Sequence, residues 1–225
     1  VLKNNAYSLI DENNWKRVYN DGHLHFWSSF EMQTPFAPSL NLPFWLDDVS
    51  YHDIKSVIDV ELSNFCTNDL WESYNIFDWK HPCIQNLKSQ ICKSHANFLS
   101  ALGLPDEKVW IRGWAQVLNI GEGVEPHTHS HHENTYLSGN ISLSEGTVTE
   151  YEIPYLSPVF GSWKVQNVPG RVTLFPSWVQ HYVQPVSEKR YSIGFDLFNR
   201  KTFDFIDKTK QNNKPQDIIL LSVPS

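Results

Sequence analysis

Two histidines separated by a single residue, His127 and His129, stand in the run GEGVEPHTHSHH. On an extended strand, residues two apart project from the same face. Neutral imidazole is the commonest protein ligand for a transition metal, so such a pair is a ready two-point grip. A third donor must come from elsewhere, and His181 supplies it in the strand-like segment QHYVQPV. Nine residues further on comes Arg190, followed by Ser192 on the same strand face. An arginine turned into a core is costly without an anion, whereas a guanidinium fork beside a hydroxyl fits a carboxylate. H-x-H alone, inside the His-rich stretch HTHSHH, is equally the mark of a solvated cluster. With His181 and Arg190-x-Ser192 added, the expectation is a metal at one depth of a β-structure and a carboxylate receptor at another.

The elements that must hold these groups are legible from about residue 107 onward. Eight short strand-like runs follow one another: 109–120, 124–129, 135–143, 147–154, 162–168, 171–176, 180–186 and 190–198. Turn signals such as GEG, SEG, PG and SEK separate them. Eight short antiparallel strands in one unit predict a jelly roll, a double-stranded β-helix of two facing sheets. In such a fold the strand carrying His181 can lie beside the one carrying His127, which lets the three imidazoles converge. Before residue 105 the pattern turns helical. From Pro82 to about residue 101, Ile84, Leu87, Ile91, His95, Phe98 and Leu99 fall on one helix face, closed by Gly103 and Pro105. His95 on that apolar face reads as a hydrogen-bonded core residue. A further helical stretch spans about 50–66, with Ser50 as N-cap. These N-terminal helices are expected to pack on the larger sheet. LHFWSSF (24–30) reads as a strand, and MQTPFAPSLNLPFWL, with its three prolines, as a loop.

Composition limits the partners. At 225 residues, 40% of them hydrophobic and 14% aromatic, the chain can build a full core without disulfides. The expected organisation is one domain over 1–225: a helical and loop support at 1–105, the jelly-roll core at 106–200 and a tail at 201–225. A formal net charge of −7 argues against sequence-independent nucleic-acid binding. The basic stretch Arg200, Lys201, Lys208, Lys210 and Lys214 reads as a solvated segment. Three cysteines without a CxxC pair, no membrane-length apolar run and no signal-peptide centre lead to the expectation of a reducing cytoplasm.

The segments GEGVEPHTH (121–129), LSGNISL (137–143), PGRVTLFPSWVQH (169–181) and RYSIGF (190–195) together resemble the Fe(II)/2-oxoglutarate-dependent oxygenases. Within that superfamily they look most like an uncharacterised branch of phage and bacterial proteins with a prolyl-hydroxylase-like core. The resemblance covers about residues 105–200. It implies that His127, His129 and His181 bind Fe(II), and that Arg190 with Ser192 binds the distal carboxylate of 2-oxoglutarate. Dioxygen would be the other cosubstrate, with succinate and carbon dioxide as products. Asn140 and Ser142, alternating on the third strand, are candidates for further hydrogen bonds to 2-oxoglutarate. One position departs from the superfamily pattern, which has Asp or Glu where His129 stands. Glu133 offers an alternative second ligand through His131-x-Glu133, although the spacing from Gly121 and Val124 favours His127 with His129.

The leading expectation is therefore a 2-oxoglutarate-dependent dioxygenase, a hydroxylase acting on a small molecule or a peptide. Two rivals stand beside it: a three-histidine cupin-type dioxygenase that does not use 2-oxoglutarate, and a jelly-roll binding module without enzymatic activity. The first rival has no use for Arg190-x-Ser192, which favours the leading expectation. In the first strand Trp114 and Gln116 share a face, but nothing in the sequence says which face is inward. Trp178 reads as an aromatic lid over the sheet edge.

Overall fold

The structure is a computed structural model that describes residues 9–10, 17–28, 41–63, 74–129, 136–155, 161–202, 204 and 221–222. All eight expected strands are present: β5 (Trp110–Leu118), β6 (Val124–His127), β7 (Leu137–Ser142), β8 (Val148–Glu152), β9 (Ser162–Gln166), β10 (Arg171–Pro176), β11 (Gln180–Val183) and β12 (Arg190–Phe198). They divide into two antiparallel sheets, the jelly-roll arrangement. The smaller has the order β6-β11-β8-β9. The larger is extended on one side by β1 (Leu9–Ile10), β2 (Arg17–Asp21), β3 (Leu24–Ser28) and β4 (Asn41–Asp48), and on the other by β13 (Leu221–Ser222), giving β1-β2-β3-β4-β10-β7-β12-β5-β13.

Strand β4 corrects the loop expected across its residues. Its proline, Pro43, sits in the pairing with β3 opposite Phe26. On the other side β10 pairs only from Trp45 to Asp48. Pro43 thus lies past the end of the β4–β10 pairing, which stops at Trp45 while β10 runs on beside β7, so its missing N–H breaks no ladder bond on that side. Phe44 on this strand is fully buried.

Two helices cover the larger sheet: α1 (Ile54–Ser63) and α2 (Pro82–Ala101). The predicted face of α2 is buried throughout, with Ile84, Leu87, Ile91, His95, Phe98 and Leu99 all enclosed. It shares one apolar cluster with Ile54 and Ile58 of α1 and with Ile111, Ile141, Val172, Leu174, Ile193 and Phe195 of the sheet. Ser50 does not cap α1. The helix starts four residues later at Ile54, and the Ser50 N–H is taken by Gln90 Oε1 of α2 at 2.8 Å. Ser94 of α2 donates to Asp47 of β4 at 2.6 Å, which ties the helix to the sheet. A second, aromatic cluster fills the space between the sheets, built from Trp27, Phe44, Tyr151, Trp163 and Phe175 with Ile153, Val165 and Val179. The larger sheet is therefore packed on both faces, and the chemistry sits between the two sheets. Gly170, at φ +88, makes the turn into β10; its N–H donates to Ser142 O, and its carbonyl accepts from Val49 N–H. A side chain there would be strained and would collide with the Val49 carbonyl.

His95 is buried with Nε2 2.8 Å from the Tyr136 hydroxyl, as a core histidine should be. Desolvation holds its pKa below the ordinary 6.5, against the smaller upward pull of Asp106 and Glu107. The unfolded chain therefore takes up this proton first as pH falls. The stabilisation is fully present above about pH 6.5 and is lost on acidification below it. His95→Gln, which keeps a hydrogen-bonding group without titrating, should flatten the stability profile between pH 6.5 and 5 by up to about 1.4 kcal/mol per pH unit. Denaturant titrations at several pH values would read this; an unchanged slope would assign the acid sensitivity elsewhere.

Candidate metal centre and carboxylate receptor

Strands β6 and β11 pair antiparallel with His181 directly opposite His127, so both imidazoles leave the same face of the small sheet. His129 lies two residues past the end of β6. Its N–H donates to Ser177 O at 3.0 Å, which pins this bend to the end of β10 and turns the ring toward the other two. The ring centroids are 4.3 Å apart for His127 and His181, 4.9 Å for His129 and His181, and 5.2 Å for His127 and His129. The candidate ligand nitrogens all lie within 4.8 Å of one another.

The outward nitrogens are all occupied. His127 Nδ1 meets Glu125 O at 2.8 Å, His181 Nδ1 meets Val179 O at 3.3 Å, and His129 Nδ1 meets Asp196 Oδ1 at 2.6 Å. Facing acceptors, each Nδ1 is the donor of its ring, which turns the three Nε2 atoms toward one another. Those of His127 and His129 stand 3.3 Å apart. Three imidazole nitrogens converging at this range form a donor set that fits a divalent transition metal on its own chemistry. Burial pushes the His127 pKa down. His181 is driven well below the ordinary value, first by burial and then by the neighbouring His129 and His127. It is uncharged at neutral pH, the form a metal requires.

Deeper in the same cleft lies Arg190, only 3% exposed. One terminal nitrogen donates to Ser192 Oγ at 2.8 Å and to Gln116 Oε1 at 3.0 Å. Its Nε is buried without a hydrogen-bond partner, and burial lowers the guanidinium pKa to about 10. The group remains charged at neutral pH, desolvated and short of an acceptor. An orphaned buried donor on a cation beside a hydroxyl fits a ligand carboxylate. The walls of the cleft also include Trp114, Val124, Asn140, Thr149, Tyr182 and Val183.

The structure brings His127, His129, His181, Arg190 and Ser192 into one cleft. Asn140 also lines it and donates to the buried Tyr151 hydroxyl at 3.0 Å. Ser142 departs from expectation: it is not among the lining residues, and its hydroxyl is spent on Ser144 O at 2.6 Å. Trp114 and Gln116 face inward, which β5 periodicity alone left open. Trp178 is 42% exposed on the turn between β10 and β11. His131, His132 and the alternative ligand Glu133 lie outside the described residues. Two participants escaped sequence reading, Tyr151 and Asp196. For Asp196 a signal existed: it continues the alternating face Arg190, Ser192, Gly194 of β12.

Comparison with solved structures agrees with this architecture. The chain superposes on a Pseudomonas putida prolyl-4-hydroxylase with a TM-score of 0.50 and 15% identity, over 70% of this chain and 85% of that one. It superposes on AviO1 from Streptomyces viridochromogenes Tue57 with a TM-score of 0.52 and 12% identity, over 71% and 90%. A Trichoplax adhaerens prolyl hydroxylase, solved with a hypoxia inducible factor oxygen degradation domain peptide fragment, gives 0.51 and 14%, over 72% and 86%. The chain thus has the double-stranded β-helix fold of the prolyl hydroxylases. No family model and no curated protein matches the sequence.

Proposed function

We propose that this protein is an Fe(II)- and 2-oxoglutarate-dependent dioxygenase that hydroxylates a small-molecule or peptide substrate. The observation that carries the reading is the unpartnered, buried Nε of Arg190 in the same cleft as three converging imidazoles. A metal site alone has no need of a desolvated guanidinium; a dicarboxylate with one end at the metal does. His127, His129 and His181 would hold Fe(II), and Arg190 with Ser192 would take the distal carboxylate of 2-oxoglutarate. Bound Fe(II) with 2-oxoglutarate supplies the activation of dioxygen, with succinate and carbon dioxide released. The chain's own part is to bind and orient. Three histidines leave the remaining metal positions open, Arg190 sets how deep the cosubstrate sits, and the aromatic cluster between the sheets keeps water from the closed side of the cleft. The motifs at 121–129, 137–143, 169–181 and 190–195 resemble those of the phage and bacterial branch of these enzymes, which supports this reading.

Three histidines without a carboxylate also suit a dioxygenase that does not use 2-oxoglutarate, so the decisive experiment separates the two. The protein, loaded anaerobically with Fe(II), is titrated with 2-oxoglutarate by calorimetry and then exposed to oxygen, with succinate quantified. Saturable binding followed by succinate release supports the proposal. Iron binding without 2-oxoglutarate binding favours the cupin-type reading, and binding without turnover favours a binding module.

A further inference from the structure

The three candidate ligands differ in what stands behind them. His127 and His181 lean on backbone carbonyls, while His129 leans on a carboxylate, Asp196 Oδ1, at 2.6 Å. Ser138 Oγ donates to the same oxygen, also at 2.6 Å, so the carboxylate is held from the side by a second donor. Backbone register secures the arrangement: Asp196 on β12 lies opposite Ser138 on β7. It falls on the face of β12 that also carries Arg190, Ser192 and Gly194, with the carboxylate receptor at one end and the histidine support at the other.

Charge gives this contact its meaning. Three neutral imidazoles bring no negative charge to a divalent cation, and Arg190 adds a positive charge to the same cleft. None of the described residues lining the cleft is Asp or Glu. Asp196 is therefore the one carboxylate in hydrogen-bond contact with the described ligand set. A carboxylate accepting the outer N–H of a ligating imidazole fixes its tautomer and makes the inner nitrogen a stronger donor.

We propose that Asp196 is a positioning residue of the metal centre, supplying through His129 the negative charge that its three-histidine ligand set lacks. The inference rests on the metal reading above. It predicts a dependence on charge rather than on shape, so the informative variant is Asp196→Asn. This keeps the size and an acceptor oxygen for His129 and Ser138 but removes the charge. A second background makes the test specific. His129→Asp puts a carboxylate where the imidazole met Asp196, so two anions then face each other.

The experiment is anaerobic calorimetry with Fe(II) on the full chain, with thermal melts of the metal-free proteins alongside. Asp196→Asn alone should weaken Fe(II) binding about 10- to 100-fold, with the melting temperature of the metal-free protein close to wild type. In the His129→Asp background the sign should reverse, and Asp196→Asn should tighten Fe(II) binding by relieving the like-charge contact. Ser138→Ala, which leaves the charge in place, should bind Fe(II) close to wild type. An affinity unchanged by Asp196→Asn, or lowered by it in both backgrounds, overturns the assignment while leaving the metal reading intact. Absence of Fe(II) binding in the wild type overturns both.

Discussion

Arg190→Met should sharply weaken 2-oxoglutarate binding while Fe(II) binding survives. The guanidinium is desolvated, already bound to Ser192 and Gln116, and left with an unpartnered Nε directed at no protein acceptor. Methionine fills much of the same volume but offers neither charge nor donor. Loss of a charged partner at a buried site costs roughly 2–5 kcal/mol, which corresponds to about 30- to 4000-fold in affinity. Arg190→Lys keeps the charge and loses the fork, so a smaller loss is expected. Anaerobic calorimetry on the iron-loaded protein reads both quantities. The metal should be unaffected, because Arg190 is not among the grouped candidate ligands. Undiminished 2-oxoglutarate affinity in Arg190→Met would remove the central support for the proposed activity.

The second large effect is expected at His181. It stands opposite His127 in the β6–β11 pairing, and its ring lies 4.9 Å from Phe175 and 6.0 Å from Tyr151. These neighbours hold it uncharged and fixed, so His181→Ala removes a preorganised donor rather than a mobile one. Fe(II) binding and any turnover should fall below detection. His132→Ala, altering the same His-rich run, should leave both unchanged. Equal metal affinity in wild type and His181→Ala would end the three-histidine assignment, whatever the activity of either.

Much of this site was readable before any coordinates, for identifiable reasons. Strand periodicity of two puts His127 with His129 and Arg190 with Ser192 on common faces, and that is a local property of the backbone. The helical face of α2 was readable on the same ground, since its apolar spacing reports burial directly. Strand β4 was not, because proline-based rules describe local preference, and Pro43 is tolerated because the pairing with β10 stops at Trp45. The start of α1 was missed similarly: Ser50 has the chemistry of a cap, but the helix begins only at Ile54, and the Ser50 N–H is held by Gln90 of another helix.

The sequence by itself determined the chemical types: imidazoles for a metal, a guanidinium with a hydroxyl for a carboxylate, and turn-separated strands short enough for a jelly roll. Tertiary structure decided which groups meet. Ser142 and Asn140 alternate identically along β7, yet only Asn140 reaches the cleft, because Ser142 satisfies its hydroxyl on Ser144. Gln116 faces Arg190 rather than solvent because β5 and β12 pair with Gln116 opposite Ser192. Asp196, 67 residues from His129, becomes its partner only once β12 lies beside β7 and the β6 bend is tied to Ser177. Side-chain direction within a strand follows from local geometry, but which strands become neighbours depends on packing two sheets and a helix layer around shared cores, and no local pattern encodes those distances.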